Sequence, residues 1–146
     1  MLDKSYVRAL RKGDVITVRC RRGADLTTAP VGLTLRKEAA GDFRIFSESL
    51  NCDGRGEDIY AAFEDLGRQL LARDLIPCCC GYCWYLQFTG MSRQMSSGEK
   101  GYCLLYATDH GRSLTDVVGI FDYCDFFKGG PQGLAKERDR NFQEKG

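Results

Sequence analysis

The hydrophobic period of this chain switches from two to helical after Ile45 and back to two beyond the helix, and those switches limit what it can fold into. Up to Ile45 the apolar residues alternate. Ile16, Val18 and Cys20 share one face against Thr17 and Arg19; Val31, Leu33 and Leu35 repeat the pattern against Gly32, Thr34 and Arg36; Phe43 and Ile45 do so against Arg44. A period of two means strands with one buried face, which favours antiparallel pairing. Turn-like breaks at 22–25 with Pro30, and at 38–42, separate them. Residues 51–56 read as a loop. Beyond it Ile59, Ala62, Phe63, Leu66 and Leu70 fall on one stripe of a helix. Glu57 and Asp58 in its first turn and Arg68 and Arg73 near its end complement the helix dipole. The helix should stop near Asp74, before Pro77.

The second half is more apolar. Residues 76–88 read as a buried strand central in the sheet, with Tyr82, Trp84, Leu86 and Phe88 on one face and Cys83, Tyr85 and Gln87 on the other. Gly81 within it marks a bulge or a close approach of backbone. Alternation over 102–107 and the run 117–122 predict two further strands, with a turn at 108–112 between them. The chain has 146 residues, enough to bury a core without a metal or disulfide. The reading is a single α+β domain over 1–128: an antiparallel-rich sheet of about six to seven strands, with one main amphipathic helix, about 57–73, on one face. Residues 129–146 are expected to be a charged C-terminal tail or short helix.

The most conspicuous chemistry is the triplet Cys78, Cys79 and Cys80, followed by Cys83. Only Cys80 and Cys83 have C-x-x-C spacing. A four-thiolate site wants a second such pair, and the one histidine, His110, is distant in sequence. In a continuous strand Cys80 and Cys83 would point to opposite faces, which opposes a shared metal or a redox pair; a bulge at Gly81 would restore it. The expected metal content is none, with Cys80 and Cys83 as the alternative ligands, and no cofactor is expected. Buried cysteine is otherwise a small apolar residue. His110 lies in a polar turn, and no Gly-x-Ser-x-Gly elbow accompanies it.

The segment 89–101 is long for a hairpin connection, and such loops often carry function. It holds three glycines and three serines with Arg93 and Lys100. Its backbone amides could cradle an anion, although it lacks the Gly-Lys-Ser/Thr ending of a phosphate-binding loop. Met91 and Met95, four apart, suit a helical turn tucked into the core. Ser92, Arg93, Gln94 and Lys100 are the candidate contacts for a ligand or partner. The first 22 residues carry seven basic side chains against Asp3 and Asp14. A nucleic-acid surface would add exposed aromatics, and only Tyr6 is available there, so nucleic acid is not the expected partner. Asp116, Asp122 and Asp125 fit no calcium-loop spacing and read as turn and strand-end residues.

Gly90-Met-Ser-Arg-Gln-Met95, then Gly98, Lys100 and Tyr102, then Val118-Gly-Ile-Phe-Asp122 resemble a group of small uncharacterised bacterial cytoplasmic proteins with a Gly-Met-x-Arg-x-Met, Lys-x-Tyr and Ile-Phe-Asp order. The likeness covers roughly residues 57 to 122. It implies one soluble domain, points to the loop 90–100 as the distinctive surface, and brings no assigned activity. The group carries an arginine after the glycine in the strand before the loop; here that stretch is Tyr82-Cys83-Trp84, so a site using that arginine would be absent.

A net charge of +1 gives no global bias toward polyanions or anionic membranes. No export signal is evident and no apolar run approaches ~18 residues, so a cytoplasmic protein with reduced thiols is expected. The functional expectation is a non-catalytic cytoplasmic binding protein, of which an inhibitor, immunity-type or regulatory module is one kind, with a protein partner or a small anion as its ligand. The alternative is a small enzyme or sensor that binds an anionic ligand at the loop 90–100.

Overall fold

The computed structural model describes residues 6–23, 25, 27–83, 85–104 and 117–124. The alternating first half forms an antiparallel meander: β2 (Leu10–Lys12), β3 (Val15–Arg22), β4 (Thr28–Lys37), β5 (Phe43–Ser47) and β6 (Cys52–Gly56), preceded by the short β1 (Tyr6–Val7). Ile16, Val18, Cys20, Leu33, Leu35 and Ile45 all face inward and are buried, as the period of two requires. Strand β7 (Leu75–Pro77) completes a six-stranded sheet by pairing with β3 at Arg22, Arg21 and Cys20. Strand β2 pairs with the other end of the same edge, at Val15 to Thr17, so β2 and β7 lie end to end beside β3.

The helix α1 (Ile59–Leu71) covers the inner face, and every residue of its expected stripe is buried. Asp58 sits just outside the helix rather than in its first turn. It is the N-cap, accepting the Ala61 amide at 2.7 Å. Residues 52–56, expected as a loop, are the edge strand β6. Glycine makes that strand possible: a Cβ at Gly54 would lie 2.3 Å from the Ala62 carbonyl oxygen, and one at Gly56 would lie 2.5 Å from the Ala62 nitrogen. The helix thus rests directly on the strand backbone. From there Gln69 accepts the Asp53 amide at 3.0 Å and donates to the Asp53 carbonyl at 2.7 Å, while Asp65 accepts the Arg55 amide at 3.0 Å. Two side chains one turn apart on α1 do the work of a neighbouring strand, satisfying an edge that would otherwise be open.

The cysteine segment is not one central strand. After Pro77 the chain turns away from the sheet through a 3-10 turn (Cys80–Tyr82) and reaches only a short β8 (Leu86–Gln87). Gly81 does mark a close approach: its amide donates to the Ile120 carbonyl at 2.7 Å, and a Cβ there would stand 3.0 Å from that oxygen and from the Phe63 ring. Tyr82 turns back to α1, donating to the Phe63 carbonyl at 2.5 Å across Gly67, where any side chain would strike its hydroxyl. The helix accepts a glycine in its interior, at about 1 kcal/mol, to admit that phenol.

Residues 90–100 are likewise not an open loop. They hold α2 (Gly90–Ser96), followed by β9 (Lys100–Cys103). Strand β10 (Val117–Gly119) pairs with β9, which pairs with β8, in a three-stranded antiparallel sheet. The expected strand over 117–122 stops at Gly119, where the Asp122 side chain turns back to accept the Gly119 amide at 2.8 Å. The last described strand, β11 (Tyr123–Cys124), pairs with β1. Among the described residues the fold is therefore α+β, with two helices and antiparallel sheets in a single compact domain. The expected turn at 108–112 with His110, Asp116, Asp125, Trp84 and the tail at 129–146 lie outside the described residues.

The helix face gives a graded test. Phe63, fully buried between the Tyr82 and Phe121 rings at centroid distances of 4.9 and 4.8 Å, should lose about 3–5 kcal/mol of unfolding free energy on change to Ala. Gln69→Ala, which strips the β6 edge of its partner, should cost about 1–3 kcal/mol. Arg68→Ala, half-exposed beside Glu64 and Asp65, should cost under ~0.5 kcal/mol. Denaturant titration of the three variants reads the order directly.

Candidate functional site

Helix α2 is short, and its ends are set by side chains. Thr89 is its N-cap and forms a capping box with Ser92: each side-chain oxygen accepts the other residue's amide at 3.0 Å. Ser92 is thereby occupied in holding the helix. At the other end Ser97 takes a left-handed conformation, and the Gly98 amide reaches back to the Arg93 carbonyl at 2.8 Å.

Arg93 points inward to the start of α1. Its Nε donates to Asp58 Oδ2 at 2.5 Å and its second terminal nitrogen donates to Oδ1 at 3.2 Å. The guanidinium lies over the rings of Tyr60 and Phe88, at 5.2 and 5.6 Å, and those rings meet edge to face at 4.8 Å. The hydrogen bond to Asp58 holds the Arg93 pKa above its ordinary value, against the opposing effect of burial. Ser97 completes the joint by accepting the Ile59 amide at 2.6 Å. One carboxylate, Asp58, therefore caps α1 and anchors α2.

The remaining candidates face elsewhere. Gln94 is exposed on α2. Lys100 lines a cleft of about 110 Å³ together with Arg8, Arg11, Glu99 and Asp122. Arg11 is ion-paired with Glu99. Asp122 is buried and accepts the Ala9 amide at 2.7 Å, with Arg8 at 3.4 Å. Arg93 and Lys100 thus belong to different surroundings and do not converge on one anion. Met91 and Met95 do share a helix, as their spacing suggests, but they face solvent at 71% and 82% exposure. The expectation that they enter the core is corrected: Arg93, Tyr60 and Phe88 occupy the inner side of α2.

The cysteines cluster in the interior. Cys80 and Cys83 bracket the 3-10 turn, the Cys83 amide donating to the Cys80 carbonyl at 3.0 Å, so the opposite faces expected of a strand do not apply. All of Cys20, Cys78, Cys79, Cys80 and Cys83 are buried. Burial pushes the Cys20 thiol up to about 12, reinforced by nearby Cys78, and holds Cys79 well above its ordinary range. A thiol held protonated in this way is a poor nucleophile. Among the described residues no three His, Cys, Asp or Glu side chains are grouped to hold a metal ion, and no helix is long and apolar enough to cross a membrane.

Two functional-looking residues escaped sequence reasoning. Asp58 read as a dipole-complementing acid, with nothing in its spacing to tie it to Arg93. Asp122 read as a strand-end residue, although it joins the N-terminal segment to the β10 turn. In comparisons with known proteins the chain matches no family model, and no curated protein is found similar to it.

Arg93→Ala should lower unfolding free energy by about 1–2 kcal/mol. A double-mutant cycle with Asp58→Ala should give a coupling of at least ~0.5 kcal/mol, whereas independent effects would mean that the pair does not form. The thiols make a pH test. A group whose folded pKa is raised stabilises the fold fully below its unfolded value and loses that contribution as pH rises toward the folded one. For Cys20 that window runs from 9.0 to about 12. Urea midpoints should fall between pH 9 and 11, less steeply in Cys20→Ala, and purified protein should contain no stoichiometric zinc or iron.

Proposed function

We propose that the chain is a non-catalytic cytoplasmic binding protein whose partner contact is the outer face of α2. The observation that supports this is the pairing of exposure with rigidity: Met91 and Met95 stand in solvent one turn apart on a helix whose inner side is fixed by Arg93 and Asp58. Methionine is unbranched and polarizable, suited to moulding against a partner surface. Gln87, Thr89 and Gln94 are exposed and uncharged nearby, so the matching surface is an apolar patch on a protein, with polar groups at its rim. Lys100 adds one cation at the far end of the segment. The reading of an anion held by Arg93 loses its main donor to Asp58, which leaves protein recognition as the better account of the segment.

A photo-crosslinking residue in place of Met95 should capture one partner reproducibly in cells of the native host, and the same residue at the exposed Glu48 should not. The purified partner should then bind the wild-type chain and lose about tenfold or more in affinity to the Met91→Ser, Met95→Ser double variant. The melting temperature should be unchanged, since neither side chain is buried. Equal capture at both positions, or unchanged affinity, would remove α2 as the contact.

A further inference from the structure

The sheet face turned away from α1 carries a charge arrangement that the fold does not need. Arg36 on β4 stands directly opposite Arg44 on β5, and Arg44 stands directly opposite Arg55 on β6. Like charges facing each other across strands are destabilising. One carboxylate lies among the three. Asp53 accepts Arg44 Nε on both oxygens, at 3.0 and 2.9 Å, and its Oδ2 is 3.9 Å from the nearest Arg55 nitrogen. The hydrogen bond to Asp53 raises the Arg44 pKa. Arg36 has no carboxylate partner among the described residues and lies instead over the ring of Phe46 at 5.4 Å, with Arg44 over the same ring at 4.2 Å. That ring is only 7% exposed, so it supports the guanidinium groups and offers no surface of its own. Beside the row opens a cleft of about 240 Å³, lined by Arg36, Arg44, Ser47, Glu48, Asn51 and Asp53.

We propose that this row is a binding site for a small oligophosphate, a di- or triphosphate group, with Arg36 and Arg55 as the donors left for the ligand and Arg44 as the fixed centre between them. Asp53 is taken up mainly by Arg44, Glu38 acts on Arg44 as well, and Glu48 stands at the cleft rim, so what the row leaves for an anion is the guanidinium forks of Arg36 and Arg55 rather than a large net charge. Guanidinium forks pair bidentately with phosphate oxygens. Neighbouring strands are about 4.8 Å apart, so the Cα atoms of Arg36 and Arg55 are separated by about 10 Å. A ligand with charge spread over two or three phosphates can meet both forks, whereas a single phosphate meets one. A local conflict in the sheet, like charges in register with no fold-level gain, is what a binding site imposes on its scaffold. The site stands on a different face and different residues from α2 and does not rest on the partner reading.

The test is thermal unfolding and titration calorimetry with sodium tripolyphosphate and pyrophosphate, against orthophosphate and sodium chloride at matched ionic strength. Tripolyphosphate should raise the melting temperature saturably and bind one to one, with orthophosphate at least tenfold weaker. Arg36→Gln and Arg55→Gln should each weaken tripolyphosphate binding about tenfold or more, the loss expected for one charge-assisted contact. Without ligand the same variants should melt at or above the wild-type temperature, because a like-charge neighbour has gone. Arginines of merely structural importance would instead lower it. The proposal fails if tripolyphosphate does no more than the matched salt, or if both variants bind like wild type. It also fails if a single-stranded oligonucleotide displaces tripolyphosphate at far lower concentration, which would make the row a nucleic-acid surface.

Discussion

The close contact of α1 with the backbone of β6 is the constraint on which the rest of the molecule depends. It needs glycine at 54 and 56, where any Cβ would meet the helix backbone within about 2.5 Å. Given that contact, the helix stripe reaches the inner face of the sheet and buries Phe63, Leu66 and Leu70 completely. The same contact brings Asp65 and Gln69 within reach of the strand's outward amides and carbonyl. Burial supplies the non-directional stabilisation; the two polar side chains remove the penalty of an open edge.

The second half is attached to this core by directional bonds. Cys80 and Gly81 donate their amides to the carbonyls of Asp122 and Ile120, at 2.8 and 2.7 Å. The Ile120 amide donates to Glu99 at 2.9 Å. Arg93 and Ser97 fasten α2 to the first residues of α1. Each joint satisfies groups that a helix end or a turn would otherwise leave unpaired. The face of α2 that presents Met91 and Met95 is therefore positioned, through Asp58, by the same helix that closes the sheet.

Periodicity revealed the elements whose sides differ in environment. The strands around Ile16, Leu33 and Ile45 and the stripe from Ile59 to Leu70 each have one buried and one wet face, and such asymmetry is written in residue order. It failed where glycine or tertiary bonding decided the outcome. Residues 52–56 lack apolar alternation because two of their three inner positions, 54 and 56, must be glycine, so a strand read as a loop. Residues 76–83 are buried throughout, and uniform burial carries no period. Met91 and Met95 have helical spacing, but spacing does not say which side of a helix faces the core; the ring pair Tyr60 and Phe88, with Arg93, settled that. The arginine row became visible only through register, since Arg36, Arg44 and Arg55 are neighbours across strands and strangers along the chain.

The bond from the Ala9 amide to the Asp122 carboxylate spans 113 residues, and it sets an order of events. The pairings of β3 to β6 and their contact with α1 join mostly consecutive elements, whereas Phe63 is covered only when Tyr82 and Phe121 are in place. The edge of β3 beyond Cys20 waits for β7, and the first described strand waits for the last. Closure of the molecule is thus a late, long-range event that pays its loop entropy only after a helix and sheet already exist. A chain that ends before residue 122 lacks the carboxylate that holds the Ala9 amide, so its N-terminal segment is left unfastened.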